Sequence, residues 1–74
     1  MKLRRKEAGK YEVSGTFRQN GEEVFIEIVS TFGVWQANVR AKSGRFLDGM
    51  MRNTKGWLVE ELPAIMRHWN VEEV

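Results

Sequence analysis

Residues 11–29 read Tyr-Glu-Val-Ser-Gly-Thr-Phe-Arg-Gln-Asn-Gly-Glu-Glu-Val-Phe-Ile-Glu-Ile-Val, and this stretch decides the fold. Its first half alternates with period two. Tyr11, Val13, Gly15 and Phe17 point one way, and Glu12, Ser14, Thr16 and Arg18 the other, as in a half-buried strand. Asn20-Gly21 then gives a strong hairpin signal, because both residues tolerate the positive φ of a two-residue type I′ turn. With that pair at the tip, Phe17 falls opposite Val24, Gly15 opposite Ile26 and Val13 opposite Ile28, while Arg18 meets Glu23 and Ser14 meets Glu27. Apolar meets apolar on one face, and a slip of one residue would destroy the match.

Working outward, Thr31-Phe32-Gly33 marks a second reversal. A tip at Phe32-Gly33 sets Ile28 against Ala37, Ile26 against Val39 and Val24 against Ala41, with Trp35 on the same side. Gln36, Asn38 and Arg40 then lie beside Val29, Glu27 and Phe25 on the other. Lys42-Ser43-Gly44 suits a three-residue hairpin with Gly44 in the left-handed conformation. Residues 45–51 read either as a fourth strand or as a short helical turn. As a strand, they put Leu47 and Met51 toward the core, and Phe46, Asp48 and Met50 outward.

Leu58, Leu62, Ile65, Met66 and Trp69 recur at spacings of three and four, which predicts a C-terminal helix with one apolar stripe. Pro63 is tolerated in a first turn but costs about 3 kcal/mol inside a helix. With Glu60 and Glu61 suited to a helix N-terminus, it favours a start near residues 59–61. A longer helix from Thr54, kinked at Pro63, is the alternative. The fold class is therefore α+β: an antiparallel meander of three to four strands with one C-terminal helix packed on one face. Residues 11–74 make a single domain. Residues 1–10 read as a flexible basic arm, since Leu3 and Ala8 alone cannot offset the entropy of ordering it.

A chain of 74 residues is near the small end of what folds alone. At about 0.05–0.15 kcal/mol per residue, its net stability is about 4–11 kcal/mol. Self-association into a homodimer would be a natural supplement. Hydrophobic residues make up 42% of the chain and charged residues 30%, a balance that suits a folded, soluble domain. The longest apolar run is far shorter than a membrane span requires, and no hydrophobic segment follows the basic start, so no membrane association and a cytoplasmic location are expected.

Catalysis has little to stand on. The chain has no cysteine and one histidine, His68, which reads as an exposed or capping residue at the helix end. The pairs Glu22-Glu23, Glu60-Glu61 and Glu72-Glu73 do not converge, because adjacent residues point apart in both strands and helices. Neither metal-ligand spacing nor a phosphate-cradling glycine motif is present. The chain is read as a non-enzyme with no catalytic residues, no metal and no cofactor.

Charge is distributed unevenly along the chain. Residues 1–10 hold five cations against Glu7, and residues 40–55 hold five against Asp48. Residues 11–39 and 56–74 each hold one cation against four glutamates. Such blocks suit an anionic partner. The polar face of the sheet, with Arg18, Gln36, Asn38, Arg40 and Lys42 around Phe25, carries groups that contact phosphates and bases.

The leading expectation is a nucleic-acid-binding module for DNA or RNA. Arg18, Arg40, Lys42 and Arg45, with Arg4, Arg5 and Lys6 of the arm, would neutralise phosphate. Gln36 and Asn38 would form hydrogen bonds, and Phe25 would stack. The blander reading is a small sheet that solvates one face. The alternative function is a protein–protein interaction module or small accessory factor of phage or mobile-element type. It would bind a protein partner through a sheet edge or an apolar patch of Phe25, Val29, Phe46 and Met50. The strand-then-helix order resembles sheet-faced single-strand DNA binders, a likeness of architecture only.

Overall fold

The computed structural model describes residues 3–74. Five strands run in order across one antiparallel sheet: β1 (Arg4–Glu7), β2 (Lys10–Phe17), β3 (Glu23–Thr31), β4 (Val34–Ala41) and β5 (Phe46–Arg52). The helix α1 (Lys55–His68) follows, and a short β6 (Val71–Glu73) pairs with β2 beyond the end of β1. The α+β class and the C-terminal helix stand, with more strands than the three to four expected.

The inner face carries the core. Val13, Val24, Ile26, Ile28, Ala37 and Val39 from the sheet pack against Leu58, Leu62, Ile65, Met66 and Trp69 from the helical segment. All are buried, and Ile26, Ile28, Leu58 and Leu62 completely so. Each such side chain contributes about 1.5–3 kcal/mol by leaving water. Trp35 and Tyr11 are half-buried at the rim.

Of the two main hairpins, one follows its turn signal and the other departs from it. Phe32 (φ 51°) and Gly33 (φ 79°) both adopt positive φ, and the β3–β4 register is the expected one, with Ile26 opposite Val39. At Asn20-Gly21 only Gly21 has positive φ, and the loop spans residues 18–21. The Phe17 N–H donates to Glu22 O at 3.0 Å and the Gly21 N–H to Phe17 O at 2.8 Å, while Asn20 Oδ1 accepts the Glu22 N–H at 2.8 Å. The register therefore shifts by two residues: Val13 faces Ile26, Ser14 faces Phe25 and Glu12 faces Glu27. A two-residue slip keeps every side chain on its face, so the core survives the correction.

Residues 45–51 contribute a strand, not a helical turn, and its facing is corrected by a bulge. Arg40 pairs with Phe46 but Val39 pairs with Asp48, leaving Leu47 as the extra residue. An inserted residue flips the alternation beyond it. Leu47 and Met50 pack on the core side, and Met51 turns outward and is more than half exposed.

The helix begins earlier than residues 59–61. Thr54 caps it, its side chain accepting the Trp57 N–H at 3.1 Å, and Pro63 lies in its interior. Complete burial of Leu58, a full turn before Pro63, offsets a cost of about 3 kcal/mol for the proline. After the helix Asn70 takes the left-handed conformation (φ 58°) and turns the chain into β6. Gly15 makes room for that return: a Cβ there would stand 2.7 Å from Glu72 O.

The arm is corrected in part. Arg4–Glu7 form β1, with Arg4 opposite Glu12 and Arg5 opposite Tyr11. Leu3 packs against the core and Gly9 (φ 74°) closes the turn into β2. These anchors supply the ordering that composition alone did not suggest. Met1 and Lys2 lie outside the described residues.

Candidate nucleic-acid interface

The outer face of the sheet is built by the same alternation that fills the core. It presents Lys10, Glu12, Ser14 and Thr16 from β2, Glu23, Phe25, Glu27 and Val29 from β3, and Gln36, Asn38 and Arg40 from β4. Arg4 and Lys6 reach it from β1, and Lys42 from the end of β4.

Its centre is Glu27, whose side chain is only 12% exposed. The carboxylate accepts from Arg40 Nε at 3.1 Å and Asn38 Nδ2 at 3.4 Å, and Lys10 Nζ lies 3.3 Å away. Burial pushes this carboxyl up, but the hydrogen bonds from Arg40, Lys10 and Asn38 and the Arg40 charge outweigh it, and the net position is below the usual carboxylate range. Asn38 is itself buried, so its amide organises Glu27 and leaves little open to solvent. Arg40 also donates to Gly44 O at 2.9 Å and lies over the Phe46 ring, 5.8 Å from its centroid.

Two further carboxylates complete a lattice. Glu12 takes Arg4 at 3.8 Å and Lys6 at 3.9 Å, and Glu23 takes Lys42 at 2.8 Å. The Lys42 hydrogen bond and charge hold the exposed Glu23 carboxyl below its ordinary range. Among the described residues, five cations thus meet three carboxylates on this face, a surplus of two. The Glu23–Lys42 pair is open to solvent, where water and salt screen it, whereas the pairs on Glu27 are partly covered.

Phe25 is half-buried on this polar face, opposite Ser14 on one side and Arg40 on the other. With Arg4, Ser14, Glu23 and Lys42 it lines a shallow pocket of about 320 Å³. A second groove of about 410 Å³ runs between β4 and β5, lined by Gln36, Asn38, Arg40, Phe46, Gly49 and Met51. The Gln36 amide donates to the Met51 sulfur at 3.2 Å.

The remaining expected residues are scattered. Arg18 sits in the β2–β3 loop and pairs with Glu72 of β6 at 2.7 Å. Arg5 lies across from Tyr11, on the side of the sheet that carries the helix. Arg45 is exposed beside the β4–β5 turn, its carbonyl accepting the Ala41 N–H at 2.9 Å. So Phe25, Gln36, Asn38, Arg40, Lys42, Arg4 and Lys6 share one face, and Arg5 and Arg18 stand apart from its centre.

Sequence reasoning left Lys10 out of this face and gave Phe46 only to an apolar patch for a protein partner. Lys10 closes the basic run of residues 1–10, yet its period-two relation to Glu12 and Ser14 puts it on this face, opposite Val29. Alternation places both Phe46 and Arg40 outward, but their direct pairing and the Arg40 contact with the Phe46 ring emerge only in the folded sheet. Helix α1, among the described residues, is too short and too polar to cross a membrane. No protein family, curated protein or solved structure matches this chain.

Proposed function

We propose that the chain is a small non-enzymatic nucleic-acid-binding module that lays a phosphate backbone across the outer face of its sheet. The observation that supports this reading is Phe25, an aromatic ring on a mainly polar face, in one pocket with Arg4, Ser14 and Lys42 and with the glutamates Glu12 and Glu23 that phosphate would displace. A ring flanked by cations and a hydroxyl matches a base and its phosphates in chemistry.

The lattice shapes how binding would work. Arg40, Lys10, Lys42, Arg4 and Lys6 already hold carboxylates, so phosphate has to replace Glu12, Glu23 or Glu27 as the partner. If only the two surplus cations release counterions, log affinity for a single strand falls against log salt with a slope of about −1.4. If all five exchange, the slope is about −3.5. Gln36 completes the surface as a neutral donor, with Arg45 at its rim.

Titrating labelled single- and double-stranded DNA and RNA at two salt concentrations tests the reading. Binding that weakens with salt supports it, and no binding at low salt ends it. Arg40→Ala should then reduce affinity for all sequences alike and flatten the slope by about 0.7–0.9.

A further inference from the structure

β5 is an edge strand, paired with β4 on one side only. Among the described residues, three of the five exposed large hydrophobic side chains belong to it or to the helix turn that follows: Phe46 and Met51 are each 55% exposed and Trp57 is 47% exposed. An open edge with apolar flanks is a site for another strand.

The backbone along this edge already shows where that strand would bond. Residues of an edge strand alternate between bonding their neighbour and facing outward. Gly49 and Met51, two apart, share one parity. The Gly49 N–H donates to its neighbour Asp48 Oδ1 at 2.8 Å, and Met51 C=O accepts from Arg52 Nη1 at 2.7 Å. An acid caps the free donor and a base caps the free acceptor, and the two caps flank Met50 symmetrically.

We propose that β5 pairs with β5 of a second copy of the chain, antiparallel, with the two-fold axis at Met50. This register sets Gly49 against Met51 of the second copy, Asp48 against its Arg52, and Met50 against its Met50. The Gly49 N–H then donates to Met51 C=O across the axis. Asp48 Oδ1 and Arg52 Nη1 exchange their own backbone for each other, while Asp48 Oδ2 keeps the Trp69 indole N–H and Arg52 Nε keeps Glu61, so each polar group that loses a partner gains one. Opposite charges meet at both symmetric positions, whereas the alternative register centred on Gly49 sets Asp48 against Met50.

Packing agrees on both faces. On the outer face Met51 lies over Gly49 of the second copy, the one position in the segment without a side chain. The Phe46 ring stands there: a Cβ at Gly49 would meet it at 3.3 Å. The exposed Met51 of one copy therefore covers Phe46 of the other. On the helix side Met50 meets its own symmetry mate, and two residues along Arg52 lies over the exposed Trp57 ring, 5.6 Å from its centroid. The dimer joins two sheets into one and does not depend on nucleic-acid binding.

Sedimentation equilibrium of the full chain from micromolar to millimolar concentration, without nucleic acid, is the test. A monomer–dimer equilibrium is expected. Asp48→Arg alone and Arg52→Asp alone should each be monomeric, since like charges then meet at both positions. An equal mixture of the two should form a heterodimer, because every pair across the axis is again opposite in sign. Met50→Lys should abolish the dimer while circular dichroism stays native. A wild-type chain that is monomeric at millimolar concentration overturns the proposal and makes the caps a permanent block on the edge. A dimer that survives Met50→Lys, or charge variants that fail to recombine although folded, overturns it too.

Discussion

The two faces of the sheet come from one alternation yet are held by different physics. The inner face excludes water: Ile26, Ile28, Leu58 and Leu62 are fully buried, and their order is set by area and fit. The outer face is held by ion pairs, partly covered around Glu27 and Glu12 and open to solvent at Glu23. The inner face should therefore resist change and fail when cut. The outer face should accept substitution and respond to charge.

The largest effect is expected from Ile26→Ala, which opens a cavity beneath the helix. A loss of about 2–5 kcal/mol by urea denaturation fits this account. Gly15→Ala comes next, since its methyl group would collide with the Glu72 carbonyl. A loss of about 1–3 kcal/mol is expected, with early exchange of the β6 amides. An unchanged melt would show that β6 packs less tightly on β2 than the geometry indicates.

Glu27→Gln separates the two faces most sharply. Replacing the central carboxylate should cost about 1–2 kcal/mol of stability. The same change frees Arg40 and Lys10, so nucleic-acid affinity should rise by about fivefold, the equivalent of about 1 kcal/mol. A loss of affinity would mean that Glu27 holds Arg40 in its binding geometry. The pH dependence follows from the sign of its shift. A carboxyl held below its ordinary range adds stability that is present at neutral pH and lost as the pH falls through roughly 4 and below. Glu27→Gln should flatten that acid limb. Lys42→Ala, which removes a solvent-screened pair, should leave the urea midpoint almost unchanged and act mainly on affinity.

The inner face was legible because burial repeats along the chain. Val13, Ile26, Ile28 and Val39 alternate with polar residues, and no error in turn length could move them to water without a one-residue slip. Turns were less legible. Asn20-Gly21 carries the better type I′ signal, but Phe17 and Glu22 close a four-residue loop around it, whereas Phe32 accepts positive φ in the tighter turn. Local preference there yields to the pairing of the strands on either side. The bulge at Leu47 has no sequence mark, so Met50 and Met51 exchanged faces.

The short flanking strands were hidden for another reason. β1 and β6 bury little of their own, and each depends on an edge of β2 that only the finished sheet provides. On the outer face the residue types were readable, and their partners were not. Arg40 and Lys42 stood out as cations, but the glutamates that hold them lie 13 and 19 residues away in sequence.

Amide-shift mapping of the isotope-labelled chain during titration with a single-stranded oligonucleotide at low salt tests the central claim most directly. Shifts gathered on Ser14, Phe25, Arg40 and Lys42, with α1 silent, are the expected result. A titration that moves only the helix or the loops, or that moves nothing, would contradict a ligand-binding outer face.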